Sequence, residues 1–317
     1  METVDTHNGA LLLKHLEYLS ALAREKHFAR AAAACQVTQP TLSAGIKHLE
    51  ETLGVLIVER GQRFRGLTPE GERVLAWAQR ILGDVQSLRQ DVSASRGGLT
   101  GRLRVGVVPA ALPMVALVTA PFADRYPDTT ATVLSMTSKE IQRGLDEFDL
   151  DVGLTYLDNE PLVRVRTVPL YRERYLLVTP SDGPFVGRKT VTWREASTLR
   201  LCLLSSDMQN RRILDAHFHE AGVTAHPQIE TNAIVTLESH LRLGTFSSVL
   251  PATAMTLMGE LPGMCALLLV EPEPTHAVGL IVPDRDPMTP LVSALLEITT
   301  PATIAATIDR AAGVFRD

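Results

Sequence analysis

At 317 residues, 45% hydrophobic and 21% charged, the chain is too long for one ordinary core and has the makeup of a folded protein of two or three domains. No apolar run reaches the length of a membrane span, and the N-terminus METVDTHNGA lacks the layout of an export signal, so no membrane partner and a cytoplasmic location are expected. The net charge of −5 is uneven: up to Gly98 there are 12 Lys+Arg against 11 Asp+Glu, which leaves 19 against 25 in the remainder. Cys35, Cys202 and Cys265 form no metal-spaced cluster and leave one thiol unpaired, as suits a reducing compartment.

Leu12, Leu16, Leu19 and Ala23 recur at helical spacing and predict a first amphipathic helix ending near Arg24. A second short helix, Phe28 to Ala34, is almost pure alanine, which lets two helices cross closely. After the turn Cys35-Gln36-Val37, Thr38 predicts an N-cap and Pro40 fits an early helical position. The third helix, Gln39 to Leu53, turns Leu42, Ile46, Leu49 and Leu53 to one side and Gln39, Ser43 and Lys47 to the other, with Gly54 as its stop.

Gln39 and Lys47 can reach base edges in a major groove, while Thr38, Thr41 and Ser43 can bond phosphates beside the helix N-terminus. Two short strands, Val55 to Val58 and Phe64 to Leu67, would flank Gly61 and gather Arg60, Arg63 and Arg65 on a basic wing. Between Arg24 and Arg65 there are 7 Lys+Arg against 4 Asp+Glu, only mildly basic, so placement argues more than number. Taken as structure alone, the segment is a small helical bundle with a solvated face, which leaves Thr-Gln-Pro and the arginine wing as coincidences.

From Phe28 and Ala31-Ala32, through TQPTLSAGIKHLEETLGVLIVER, to LTPEGE at Leu67 to Glu72, the order and spacing of blocks closely resemble the LysR-type transcriptional regulators. The resemblance extends over the chain beyond about ten extra N-terminal residues. It departs at Ala44-Gly45, where the family often carries a basic residue and then Gln, so fewer side chains are expected to reach the bases.

Thr68-Pro69-Glu70 opens the next helix, in which Val74, Ala78, Ile81, Val85, Leu88 and Val92 form a heptad seam suited to helix pairing. Leu75 and Leu82 widen that stripe, so part of the helix is expected to cover its own DNA-reading module. SRGGLTG, from Ser95 to Gly101, reads as a hinge. A helix-turn-helix reads two half-sites as a symmetric dimer, and the resemblance implies a homotetramer that meets RNA polymerase if it activates.

Beyond Arg102 the grammar becomes strand and helix in alternation, which predicts a mainly parallel sheet. Strands are expected at Leu103 to Val108, Thr132 to Met136 and Leu150 to Tyr156, with helices at Pro113 to Tyr126 and Lys139 to Phe148. A second series includes Tyr175 to Val178, Leu201 to Leu204, Gln228 to Thr231 and Ser247 to Leu250. Ala277 to Val282 and a helix from Met288 return to the first unit.

The expected fold class is α/β: a winged helix-turn-helix (residues 1–68), a linker helix and hinge (69–98), and an effector domain (99–317) of two subdomains, as the resemblance also implies, similar to periplasmic binding proteins. Subdomain I would hold about 99–163 and 268–317, and subdomain II about 164–267.

Ligands of such sheets sit beyond strand C-termini, where helix N-termini offer N–H groups. Pro109-Ala110-Ala111, Thr137-Ser138, Ser205-Ser206 and Asn232 to Ile234 fit that description, with Ser138 as the next helix's N-cap. A small anion, carboxylate or polar metabolite would fit, with no other cofactor. A serine or threonine at a helix start is more often only a cap. Arg164 and Arg166 could reach the cleft or lie in solvent, and His217 and His219 face apart on one helix, which argues against a metal.

No nucleophile elbow, phosphate loop or zinc-hydrolase motif is present, so catalysis has no support. The expected function is promoter binding by double-stranded DNA recognition, modulated by the effector. The alternatives are a cytoplasmic solute-binding protein with an N-terminal oligomerisation module, an enzyme using the cleft, and a thiol-based redox regulator.

Overall fold

The computed structural model describes residues 6–59, 64–259 and 261–305. The chain divides into two compact units, Met1–Val92 and Ser93–Asp317. No described helix is long and apolar enough to cross a membrane.

The first unit contains α1 (Thr6–Glu25), α2 (Phe28–Ala34), α3 (Gln39–Leu53) and most of α4 (Pro69–Gly97). The expected stops and starts hold: the Thr38 hydroxyl accepts from Thr41 N, and Gly54 closes α3 in the left-handed region at φ 67°. Gln36, also left-handed at φ 56°, makes the sharp turn between α2 and α3. Leu16, Leu19 and Leu22 of α1, Ala31 and Ala32 of α2, and Leu42, Ile46 and Leu49 of α3 form one core. Among the described residues the wing is a single antiparallel bridge, Val58 to Leu67, rather than two strands. Glu50 of α3 holds it, because its Oε1 accepts from both Ile57 N (2.8 Å) and Val58 N (3.0 Å).

The heptad expectation needs correcting at its start. Ala78 is fully buried in the first unit's own core, and Val74 packs against the same core with Leu75 and Leu82. Only Ile81, Leu88 and Val92 are exposed, with Val85 half-buried. The first turns of α4 are therefore spent on their own module, and the free stripe begins near Trp77, which is exposed beneath the Arg80 guanidinium.

The second unit begins with β1 (Gly101–Val107), α5 (Leu112–Arg125), β2 (Thr129–Ser135), α6 (Ser138–Asp146), β3 (Val152–Tyr156) and β4 (Val165–Glu173). The middle part holds β5 (Tyr175–Pro180), β6 (Thr190–Thr192), α7 (Trp193–Ala196), β7 (Cys202–Leu204) and α8 (Gln209–Glu220). It continues with β8 (Ile229–Thr231), α9 (Ile234–Arg242), β9 (Ser248–Pro251), α10 (Ala252–Met258) and β10 (Met264–Val270). The chain then returns through β11 (His276–Pro283) and α11 (Pro290–Ile298).

Two sheets result. One runs β2-β1-β3-β11-β4, the other β6-β10-β5-β9, with the β7–β8 pair joined to it by the Leu201–Ser247 bridge. The sheets are mixed, not mainly parallel: β1 pairs parallel with β2 and β3, but β11 runs antiparallel to both neighbours and β5 to both of its own. The crossings also differ from expectation. β4 lies in the first sheet although it follows residue 164, and β10 stays in the second through Val270.

Glu173 ends β4 at the first crossing and is almost fully buried. Its Oε1 accepts from Arg174 N (3.1 Å) and Thr253 N (3.2 Å), and the Thr253 hydroxyl donates to Oε2. Burial outweighs these donors and pushes its carboxyl up to about 7. A carboxyl raised in the folded state is stabilising below its unfolded value near 4.5, and that contribution is lost as pH rises through 7. Glu173→Gln keeps the acceptor for the two backbone donors and places an amide toward Thr253. It is expected to raise the unfolding free energy at pH 8 by on the order of 2 kcal/mol, and to change nothing below pH 4.5. Unfolding curves at pH 4 and pH 8 check both halves.

Candidate functional site

On α3 the sequence separates two faces, and the structure follows it except at Leu53, which is exposed at the end of the helix. Leu42, Gly45, Ile46 and Leu49 are buried. Thr38, Gln39, Pro40, Thr41, Ser43 and Lys47 are exposed together at the N-terminal half of the helix. The Thr38 and Thr41 hydroxyls lie 2.8 Å apart, and Lys47 reaches Glu51 one turn on at 3.5 Å, an exposed pair that leaves the ammonium free to exchange partners. Arg65 is exposed on the wing, while Arg60 and Arg63 lie outside the described residues.

Gly45 is not a truncated base reader. A Cβ there would stand 2.6 Å from the Tyr18 ring of α1, so the glycine serves close packing, and only Ala44 shortens the exposed face.

The second expected site lies where the two sheets of the second unit meet, and a different set of residues dominates it. At the head of α8, Gln209 Oε1 accepts from Thr155 Oγ1 (2.6 Å), and its Nε2 donates to Asn159 Oδ1 (2.7 Å). Asn210 Nδ2 donates to the Tyr156 hydroxyl at 3.0 Å. Arg212 Nε donates to Glu160 Oε1 (2.7 Å), and its Nη2 to Ser138 Oγ (3.0 Å), which in turn donates to Glu160 Oε2 (2.7 Å). All but the Ser138–Glu160 bond join the segment from the end of β3 to Glu160, or the start of α6, to the head of α8. Gln209, Asn210, Thr155 and Tyr156 are all buried, so the network is high-stakes: satisfied it fixes the two halves, and half-satisfied it costs several hydrogen bonds.

Of the expected ligand residues, only Ser138 joins this network through its side chain. It sits inside α6, because the N-cap is Thr137, whose hydroxyl and backbone N–H form a capping box with Glu140. Pro109 and Ala110 are buried in a 3-10 turn before α5. Ser205 N donates to Thr231 O, and Ser206 precedes α8 with its carbonyl toward Arg212. Asn232 is exposed, and Ile234 packs into the core beneath α9. Arg166 pairs with Asp284 in the open (2.7 Å), and Arg164 is exposed, so neither belongs here.

Sequence reasoning missed Gln209, Asn210 and Arg212 because serines and a Met intervene before the helix begins. The signal available was QNRR itself, four polar residues heading a helix one short turn after a buried strand.

None of the three thiols is primed for attack. Cys202 is buried, and desolvation pushes its thiol up to about 11; burial raises Cys35 and Cys265 as well. No group of three or more potential metal ligands occurs among the described residues.

Comparison with known proteins agrees with both halves. The bacterial regulatory helix-turn-helix model of the lysR family matches residues 13–72, and the LysR substrate binding domain model matches 96–302. The DNA-binding transcriptional dual regulator OxyR of Escherichia coli strain K12 is 28% identical over 277 residues, covering 87% of this chain and 90% of that protein. A hydrogen peroxide-inducible genes activator of Pectobacterium carotovorum is 28% identical over the same length, covering 87% and 91%. A cysteine-to-aspartate variant of full-length OxyR from Pseudomonas aeruginosa superposes with a TM-score of 0.72 at 27% identity, covering 92% of this chain and 94% of that one. With a reading head of the expected shape and both family models matched in order, the chain belongs to the LysR family and is a DNA-binding transcriptional regulator.

Proposed function

We propose that the regulator acts as a dimer, and as a pair of dimers in the homotetramer, with α3 in the major groove of promoter DNA and the wing against the backbone. Gln39 and Lys47 are the base-facing candidates, and Thr38, Thr41, Ser43 and Arg65 the phosphate-facing ones. The shared exposure of these residues on the face opposite the buried leucines supports this assignment. Lys47→Ala is expected to weaken binding to its promoter about tenfold and to narrow the preference for that promoter over unrelated duplex DNA by a similar factor. Gel mobility shifts on both duplexes measure the two effects, and an unchanged preference would remove Lys47 from the base-facing set.

The signal is proposed to be a small polar or anionic effector at the network between β3 and α8. The observation that carries this reading is the Arg212–Glu160–Ser138 triad, since an effector carboxylate could take the place of Glu160 on the guanidinium. Such a ligand would favour one placement of the subdomains over another and so alter promoter bending or polymerase contact. Thermal-shift screening of full-length protein with small carboxylates tests it: a stabilising ligand should lose its effect in Arg212→Gln.

A second reading, peroxide sensing through a thiol, is favoured by the names of the relatives. The raised thiols argue against it here. Micromolar hydrogen peroxide is expected to leave DNA mobility unchanged, and a mobility change that vanishes in a cysteine-free variant would establish the second reading instead.

A further inference from the structure

Outside the polar network, a second contact joins the two halves of the effector unit. His276, the first residue of β11 in the first sheet, faces His217 of α8 across the boundary, with their Nε2 atoms 2.9 Å apart. Each ring has a carboxylate on its other nitrogen: Asp158 Oδ1 lies 3.0 Å from His276 Nδ1, and Glu220 Oε2 lies 3.2 Å from His217 Nδ1. Asp158 is itself fixed, because Ala277 N donates to its Oδ2 at 2.8 Å.

The geometry restricts the number of protons. Asp158 accepts, so His276 Nδ1 carries a hydrogen and neutral His276 presents a bare Nε2. His217 Nε2 must then donate. A third hydrogen fits on His276 Nε2 when His217 carries its own on Nδ1, toward Glu220, and accepts at Nε2. A fourth has no place, since two N–H groups would point at one another across 2.9 Å. Two or three protons therefore close the contact, and four drive it apart.

We infer that His217 and His276 form a clasp between the subdomains that acid opens, by placing a fourth proton on a row of nitrogens that holds three. The surroundings act in the same direction. Trp193 and Tyr175 wall the pair, with the Trp193 ring centroid 5.3 Å from that of His217 and Phe218 edge-on behind Trp193. Burial lowers the affinity of His217 for its second proton, partly offset by Glu220, and the His276 charge opposes it further.

The other groups facing the pair come from each neighbouring element. Tyr156 of β3 and Tyr175 of β5 lie against His276, and Glu173 of β4 is its register partner across the sheet. The Arg172 guanidinium binds Thr275 beside it, and Arg194 of α7 reaches the Ala221 carbonyl at the end of α8. A histidine that the folded state keeps from charging loses stability for that state as pH falls below about 6.5.

This inference rests on the proposal that subdomain placement governs DNA output, and the test separates the two. The chain has two tryptophans, so Trp77→Phe leaves Trp193 as the only reporter in otherwise full-length protein. A cationic imidazole in contact quenches indole emission. Trp193 emission is expected to fall on acidification with one midpoint below 6.5, to stop titrating in His217→Gln, and to titrate roughly one unit higher in His276→Gln, where an amide carbonyl can accept from charged His217.

A midpoint unmoved by His276→Gln, or a titration that survives His217→Gln, overturns the clasp. Promoter affinity of the same proteins at pH 5.5 and 7.5 is the second readout. A pH dependence reduced by His276→Gln supports transmission to DNA, and a clasp that titrates while affinity stays level overturns the proposed control by subdomain placement.

Discussion

Gly71→Ala is expected to destabilise the first unit by about 3 kcal/mol or more and to abolish specific promoter binding. The reason is a contact between two backbones. A Cβ at position 71 would stand 2.1 Å from the carbonyl oxygen of Ile57 and 2.9 Å from its carbonyl carbon, and neither can rotate aside as a side chain would.

The same carbonyl accepts from Thr68 N at 2.9 Å, and the Thr68 hydroxyl accepts from Gly71 N at 2.9 Å. The first turn of α4 is thus bonded to the root of the wing, and the added methyl must break that joint. The wing would lose the support that aims Arg65, and α4 its fixed origin. Urea unfolding and mobility shifts are the measurements. A variant with wild-type midpoint and wild-type affinity would show that α4 can start elsewhere.

The second large effect is expected at Arg104. Its Nη2 and Nε reach the two oxygens of Asp151 at 2.9 and 3.1 Å, and its backbone N–H donates to the same carboxylate at 2.8 Å. The Asp151 side chain is 8% exposed and that of Arg104 25%, so the pair is largely withdrawn from water. Arg104→Met leaves a buried carboxylate without its cation and is expected to cost about 3–5 kcal/mol. Arg104→Met with Asp151→Asn should recover most of that loss, because the amide still accepts from Arg104 N without a charge to bury. If the double variant were as unstable as the single, packing of the arginine stem rather than charge would be the cause.

The helix-turn-helix was readable because each of its elements is bounded locally. Thr38, Pro40 and Gly54 mark their own positions, and the leucine spacing in α3 names its buried face. The seam in α4 was half legible for the same reason that it misled. A heptad reports an apolar stripe and not what covers it, so Ala78, which packs on its own unit, reads like Ile81, which does not.

In the second unit, strand positions followed apolar runs, but pairing did not. β11 joins β3 and β4 through contacts more than a hundred residues apart, and no local pattern encodes its antiparallel direction. The candidate site suffered most. Gln209 and Thr155 stand 54 positions apart, and His217 and His276 stand 59, so their meeting depends on the double crossing of the chain. Reading His217 only against His219 on the same helix gave the wrong partner. Serines beside helix starts were visible instead, and most proved to be caps or turns.

The strand order carries a consequence for synthesis. β11 occupies the place between β3 and β4, yet it leaves the ribosome after every strand of the second sheet. Until His276–Pro283 emerges, the nascent chain holds β3 with one edge unpaired and β4 with no neighbour at all. A nascent chain that has emerged through Val270 but not through β11 therefore holds a completed second sheet beside an open edge of the first, the interval in which pairing with another chain is least hindered.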